Sequence, residues 1–106
     1  MKTIEYNKLI RDKIPEIIEK SGKTAIVEKV EGEELFRLLN TKLEEELAEY
    51  KESKSIEELA DLVEVIYGIL DQKNVSIEEF ERIRQEKNAK RGAFKEGLVL
   101  KKVIED

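Results

Sequence analysis

This sequence predicts a mainly α-helical bundle, a single domain over residues 1–106 with a short two-stranded ribbon at its side, and three observations carry the prediction. Two central segments place apolar residues every three or four positions, the spacing of a buried helix face. The tetrapeptide Ser-Ile-Glu-Glu opens at Ser55 and again at Ser76, a helix start in which the serine caps the first turn and the second glutamate is placed to reach back to the serine's N–H. The linkers are short, so neighbouring helices are expected to run antiparallel.

The elements follow in order. Pro15 stands where a first helical turn tolerates proline, and IPEIIEKSG runs from there to a stop at Gly22. TAIVEKVEG, from Thr24, is rich in β-branched residues and bounded by Gly22 and Gly32, which predicts an extended segment. GLVLKKV, from Gly97, has the same character, and pairing the two gives the ribbon. From Glu33 to about Lys51 the apolar stripe is Phe36, Leu39, Leu43, Leu47 and Tyr50. From Ser55 to about Asp71 it is Leu59, Leu62, Val63, Ile66, Ile69 and Leu70, widened by Val65 and Tyr67, so this helix is expected to be buried on more than one side and to pack against another subunit. The last helix, Ser76 to about Arg91, is charged nearly throughout, with apolar positions at Ile77, Phe80, Ile83 and Ala89. Tyr6, Tyr50, Tyr67, Phe36, Phe80 and Phe94 read as core residues rather than base-stacking platforms.

Composition narrows the chemistry. A chain of 106 residues holds one core, short enough for a second subunit to complete, so an oligomer is expected. Twenty-five acidic against twenty basic side chains leave a net charge of -5, which argues against nucleic-acid binding, because that needs a basic footprint to displace counterions from phosphates. With neither cysteine nor histidine there is no disulfide, no thiolate or ordinary zinc site, no imidazole base and no triad. The N-terminus MKTIEYNKLIRDK lacks the apolar stretch of a signal peptide, and no apolar run approaches the roughly twenty residues that span a bilayer, so the expected location is cytoplasmic, without a membrane.

The remaining chemistry rests on acids. At about 100° per residue, Glu46 and Glu49 fall on one flank of the Leu39/Leu43/Leu47 stripe, with Glu44 on the other flank and Glu45 toward the back. Glu58 and Asp61 repeat the i, i+3 spacing along one flank of the Leu59/Leu62/Ile66 stripe. Antiparallel packing then brings two carboxylate pairs together at the edge of the helix interface. Such a group is tolerable only with a divalent cation or with some carboxyl groups protonated, and an all-oxygen set suits Mg²⁺, with Mn²⁺ as the alternative. Against this stands the reading of each E-x-x-E as a solvated helix face. Glu58 has a further alternative, as the partner of Ser55 in a capping box.

Four motifs in sequence resemble a known family. EELAE (Glu45 to Glu49) followed by EELAD (Glu57 to Asp61) resembles the paired acidic motifs of the all-α nucleotide pyrophosphohydrolases, the superfamily of MazG and phosphoribosyl-ATP pyrophosphohydrolase. YNKLIRDKIPEII (Tyr6 to Ile18) and KNAKRGAF (Lys87 to Phe94) are similar to the two ends of its small house-cleaning members. One departure is the short gap: eight residues separate Glu49 from Glu58, so the connection must be tight.

The resemblance implies an all-α NTP-pyrophosphatase-like bundle, a homodimer or homotetramer, in which Glu46, Glu49, Glu58 and Asp61 bind Mg²⁺. It implies hydrolysis of a nucleoside triphosphate, or a related nucleotide, between the α and β phosphates to a monophosphate and pyrophosphate. Glu45 is then a candidate for orienting or deprotonating the attacking water, with Glu49 and Asp61 as alternatives. Lys87, Asn88, Lys90 and Arg91 are candidates for the phosphates, although cations before Gly92 also end a helix in the ordinary way. Lys8, Arg11 and Lys13 either reach the polyphosphate or stay solvated on an N-terminal arm, where Asp12 is a local partner for either neighbour. Two alternatives remain: phosphoribosyl-ATP as substrate, and a noncatalytic helical interaction module whose acidic faces point into solvent.

Overall fold

A computed structural model describes residues 2–105, which fold into four helices without a strand among the described residues. Contacts group the chain into two compact units, one through Asn74 and one from Val75, and each is treated by itself.

The first unit begins with residues that carry neither helix nor strand and then forms α1, Ile14–Lys20, with Pro15 in its first turn. Its end is tied down by Ser21, whose hydroxyl donates to the carbonyl of Ile18 at 2.6 Å. The long helices are α2, Gly32–Ser53, and α3, Ile56–Gln72. Only Lys54 and Ser55 join them, and Lys54 takes the left-handed conformation, φ 59°, that closes the turn of α2 through its N–H to the carbonyl of Tyr50 at 2.7 Å. The tight connection required by the eight-residue gap is therefore present.

α2 and α3 form an antiparallel hairpin: near the far end Leu39 meets Gly68, and toward the turn Glu46 meets Glu58 and Asp61. Leu39 and Glu46 stand seven residues apart on one helix, as do their partners Asp61 and Gly68 on the other. This is the spacing of a coiled-coil seam. Its far half is apolar, where a methyl group built on Gly68 would stand 3.0 Å from Cδ2 of Leu39, so the absent side chain is what lets the helices approach. Its near half is charged. The buried apolar residues are Leu39, Val65 and Leu70.

This seam departs from the sequence expectation in one respect. Glu58 and Asp61 were expected on the flank of a Leu59/Leu62/Ile66 stripe, yet they share the α3 face that meets α2, while Ile56, Leu59 and Val63 are 79%, 39% and 43% exposed. Leu47 of α2 is also exposed. The cause is that α3 is apolar on two sides; a single averaged arc falls between them and points along neither. The i, i+3, i+7 run Ile56, Leu59, Val63 is thus a second apolar stripe without a partner in the hairpin.

The expected ribbon is absent: residues 24–31 and 97–103 carry no strand. A β-branched run is not a strand until another backbone supplies its ladder of hydrogen bonds, and these segments, which belong to different units, leave Ile26, Leu98, Val99 and Leu100 exposed. Two aromatic residues also depart from the core reading. Phe94 is 97% exposed and Tyr6 is exposed, because both lie on irregular segments rather than on a packed helix face.

The second unit contains α4, Ile77–Arg91. Ser76 caps it, accepting from the N–H of Glu79 at 3.1 Å, and Gly92 ends it at φ 82°, its N–H donating to Asn88 at 2.8 Å. Its exterior is held by pairs of Arg82 with Glu79 and Glu86 and of Arg84 with Glu81, the solvated helix face its composition predicts.

Candidate metal centre

The two Ser-Ile-Glu-Glu starts use the serine in the same way and release the second glutamate. Ser55 Oγ accepts from the N–H of Glu58 at 3.2 Å, but the N–H of Ser55 donates to Ser53 Oγ, also at 3.2 Å. The reciprocal half of the capping box is therefore taken by Ser53. The carboxylate of Glu58 is free to turn into the seam, whereas its counterpart Glu79 pairs with Arg82.

There it joins Glu46 and Asp61: one carboxylate oxygen from each lies within 4.8 Å of the others. Glu46 is 7% exposed. Its Oε2 and that of Glu58 are buried without a hydrogen-bond partner. An orphaned anionic oxygen is costly to bury, since it gives up hydration and receives nothing in return. The proton affinities register the strain. Burial, and after it the neighbouring Glu49 carboxylate, pushes Glu46 up to about 7, with Lys42 pulling the other way and Asp61 adding to the rise. Glu58 is raised as well, by burial first and then by the charges of Glu49 and Asp61. Glu49 lies outside the close triad and is exposed, yet it acts on both members electrostatically.

Cations ring the acids on one side. Arg11 Nη2 stands 2.7 Å from Asp61 Oδ1, Lys8 Nζ 3.4 Å from Glu45 Oε1, and Lys42 Nζ 3.4 Å from Glu45 Oε1 and 3.5 Å from Glu46 Oε1. A cleft of about 260 Å³ opens among Lys8, Arg11, Lys42, Glu46 and Asp61, with Ile10 and Ile14 as its apolar wall. The N-terminal arm is therefore seated at the acids, and Arg11 pairs with Asp61 rather than with its neighbour Asp12. Lys13 instead occupies the N-cap position of α1 and makes no ion pair among the described residues.

Lys42 is the functional neighbour that sequence reasoning missed. Its signal was present: Lys42 stands three and four residues before Glu45 and Glu46, the spacing at which helix side chains meet. Ser53 was missed for a plainer reason, as nothing in S-K-S marks which serine holds which amide.

The remaining candidates lie in the second unit. Lys87, Asn88 and Arg91 line a cleft of about 390 Å³ with Arg84, Gly92, Ala93 and Phe94, and Lys90 does not contribute to that lining.

Comparison with known proteins adds little to this geometry. No family model matches the chain, and no solved structure matches it. A protein of Mycolicibacterium smegmatis (strain ATCC 700084 / mc(2)155), described as uncharacterized, is 42% identical over 43 residues. That match covers 41% of this chain and 44% of the relative, so the chain spans less than half the length of the curated relative it matches.

The donor set fits a hard divalent cation. All candidate ligands are carboxylate oxygens, Glu46 and Glu58 each have one buried oxygen without a hydrogen-bond partner, and Mg²⁺ or Mn²⁺ is bound by oxygen sets of this kind.

Proposed function

We propose that this chain is a Mg²⁺-dependent nucleotide pyrophosphohydrolase that cleaves a nucleoside triphosphate, or a related nucleotide, between the α and β phosphates. The observation that carries the reading is the convergence of Glu46, Glu58 and Asp61 around buried, unpartnered oxygens, beside a cleft lined with Lys8, Arg11 and Lys42. Acids that meet at a seam serve a noncatalytic module poorly, since they destabilise the hairpin that would form it.

Glu46, Glu58 and Asp61 would hold the cation, with Glu49 beside them. When bound, Mg²⁺ supplies positive charge against which phosphate oxygens and a departing pyrophosphate are stabilised. Lys8 and Arg11 meet the polyphosphate from the arm, Arg11 with the forked geometry suited to phosphate oxygens. Water is the nucleophile, and its proton passes to a carboxylate. Glu49 suits that role better than Glu45: it has no ion pair among the described residues, whereas Glu45 is engaged by Lys8 and Lys42 and Asp61 by Arg11. Within the second unit, taken by itself, Lys87, Asn88 and Arg91 line a cleft whose cations and amide suit phosphate oxygens.

The unpartnered stripe of Ile56, Leu59 and Val63 supports association with a second copy, as a homodimer or homotetramer. Light scattering of the purified chain is expected to give at least the dimer mass, and a monomer at micromolar concentration removes this part of the reading. Among the described residues no helix is long and apolar enough to cross a membrane. We place the protein in the cytoplasm, where nucleoside triphosphates and Mg²⁺ are abundant.

A panel of nucleoside triphosphates and phosphoribosyl-ATP, incubated with Mg²⁺ and scored for pyrophosphate, tests the activity. The expected result is monophosphate and pyrophosphate in equal amounts from at least one triphosphate. Turnover of phosphoribosyl-ATP alone would reassign the substrate, and silence across the panel together with no Mg²⁺ binding would favour the interaction module.

A further inference from the structure

We propose that Arg11 is the resident counter-ion of the carboxylate cluster, a built-in competitor that a divalent cation must displace from Asp61. The inference rests on reading Glu46, Glu58 and Asp61 as cation ligands, and it concerns how that site is regulated.

The argument begins with where Arg11 spends its charge. Its guanidinium lies 2.7 Å from Asp61 Oδ1, and Asp61 is one of the three acids whose oxygens converge. A cation bound by those oxygens would share Asp61 with a fixed positive charge, and like charges across so short a distance repel strongly in a partly desolvated site. The two occupants are therefore alternatives, and each weakens the other by the same factor.

The local structure allows the exchange. Arg11 belongs to a stretch, residues 2–11, without helix or strand, and its side chain is 56% exposed, so it can leave without disturbing a packed element. Exposed ion pairs of this kind are weak, which makes Arg11 displaceable rather than a permanent block. Lys42 differs. It is anchored on α2, its side chain is only 17% exposed, and it lies between Glu45 and Glu46 rather than on Asp61. Lys8 pairs with Glu45, which is outside the triad. Among the cleft cations, Arg11 is thus the one placed on a triad member from outside the helices, by an exposed side chain. Once displaced, its forked donors remain at the mouth of the same cleft, available to an anion that arrives with the cation.

Titration of the full chain with Mn²⁺ alone, followed by electron paramagnetic resonance, separates this idea from its alternatives. Arg11→Gln is expected to bind Mn²⁺ roughly tenfold tighter than the unaltered chain, and Lys8→Gln, which removes the same charge from the same cleft, less than about twofold tighter. A merely structural role for Arg11 predicts the opposite sign, because loosening the site weakens binding. Equal or weaker binding by Arg11→Gln overturns the proposal while leaving the metal site in place, as does an equal gain in Lys8→Gln, which would show general charge reduction. Absence of Mn²⁺ binding in every protein overturns the metal reading and the competitor together.

Discussion

Under the proposed activity, Asp61→Asn and Glu58→Gln are each expected to lower kcat/KM for the best triphosphate substrate by about 10²–10³-fold, while the hairpin stays folded. The size follows from what the change would remove: a carboxylate that would hold the divalent cation, whose positive charge would stabilise the charge developing on the phosphates. For Glu58 the result also decides between cap and ligand. Only its backbone N–H serves Ser55, so the side-chain change leaves the α3 start intact and circular dichroism unaltered. Pyrophosphate release at saturating Mg²⁺ is the measurement, and retention of more than about a tenth of the activity in both variants would place the chemistry elsewhere.

Glu46→Gln acts in two opposite directions. It is expected to weaken cation binding, and in cation-free buffer at pH 8 to stabilise the protein by on the order of 2 kcal/mol, since it replaces a buried charge, one of whose oxygens has no hydrogen-bond partner, with a neutral isostere. The pH dependence has a definite sign. Glu46 rises from its ordinary 4.5 to about 7 in the folded chain, so between those values the folded state keeps a proton that the unfolded chain has released. Stability from this group is fully present below about 4.5 and is lost as pH climbs through about 7. Urea unfolding of the unaltered chain and of Glu46→Gln should therefore coincide near pH 4 and diverge by pH 8. Saturating Mg²⁺ should close the gap by stabilising the unaltered chain alone. A difference that is constant across the range would show that Glu46 does not keep its proton in the fold.

Much of this arrangement was legible in the sequence. The helices began and ended near their predicted limits because their signals are local: Ser55 and Ser76 as caps, Gly92 as a stop, and Pro15 in a first turn. Of the four acids named from the sequence, Glu46, Glu58 and Asp61 converge and Glu49 stays outside the close group; the spacing alone fitted a solvated helix face equally well, and the family resemblance singled them out. The rotation of α3 was not legible. Its most conspicuous apolar residues, Leu59 and Val63, face away from α2, and the partner that would cover them does not enter into a single chain's periodicity. Gly68 was the overlooked guide, since a side chain one atom larger would press on Leu39. The ribbon failed for a related reason: β-branched residues report a preference for extension but not the presence of a neighbour.

The two-residue turn has a mechanical consequence. Glu46 lies seven residues before Ser53, about 10 Å along the helix, and Leu39 about twice as far. Repulsion among the acids pushes the helices apart close to the pivot, where a force has little leverage. The Leu39–Gly68 contact resists at the long end of the same arm. A modest apolar grip at the far end can thus hold closely set like charges in register near the turn.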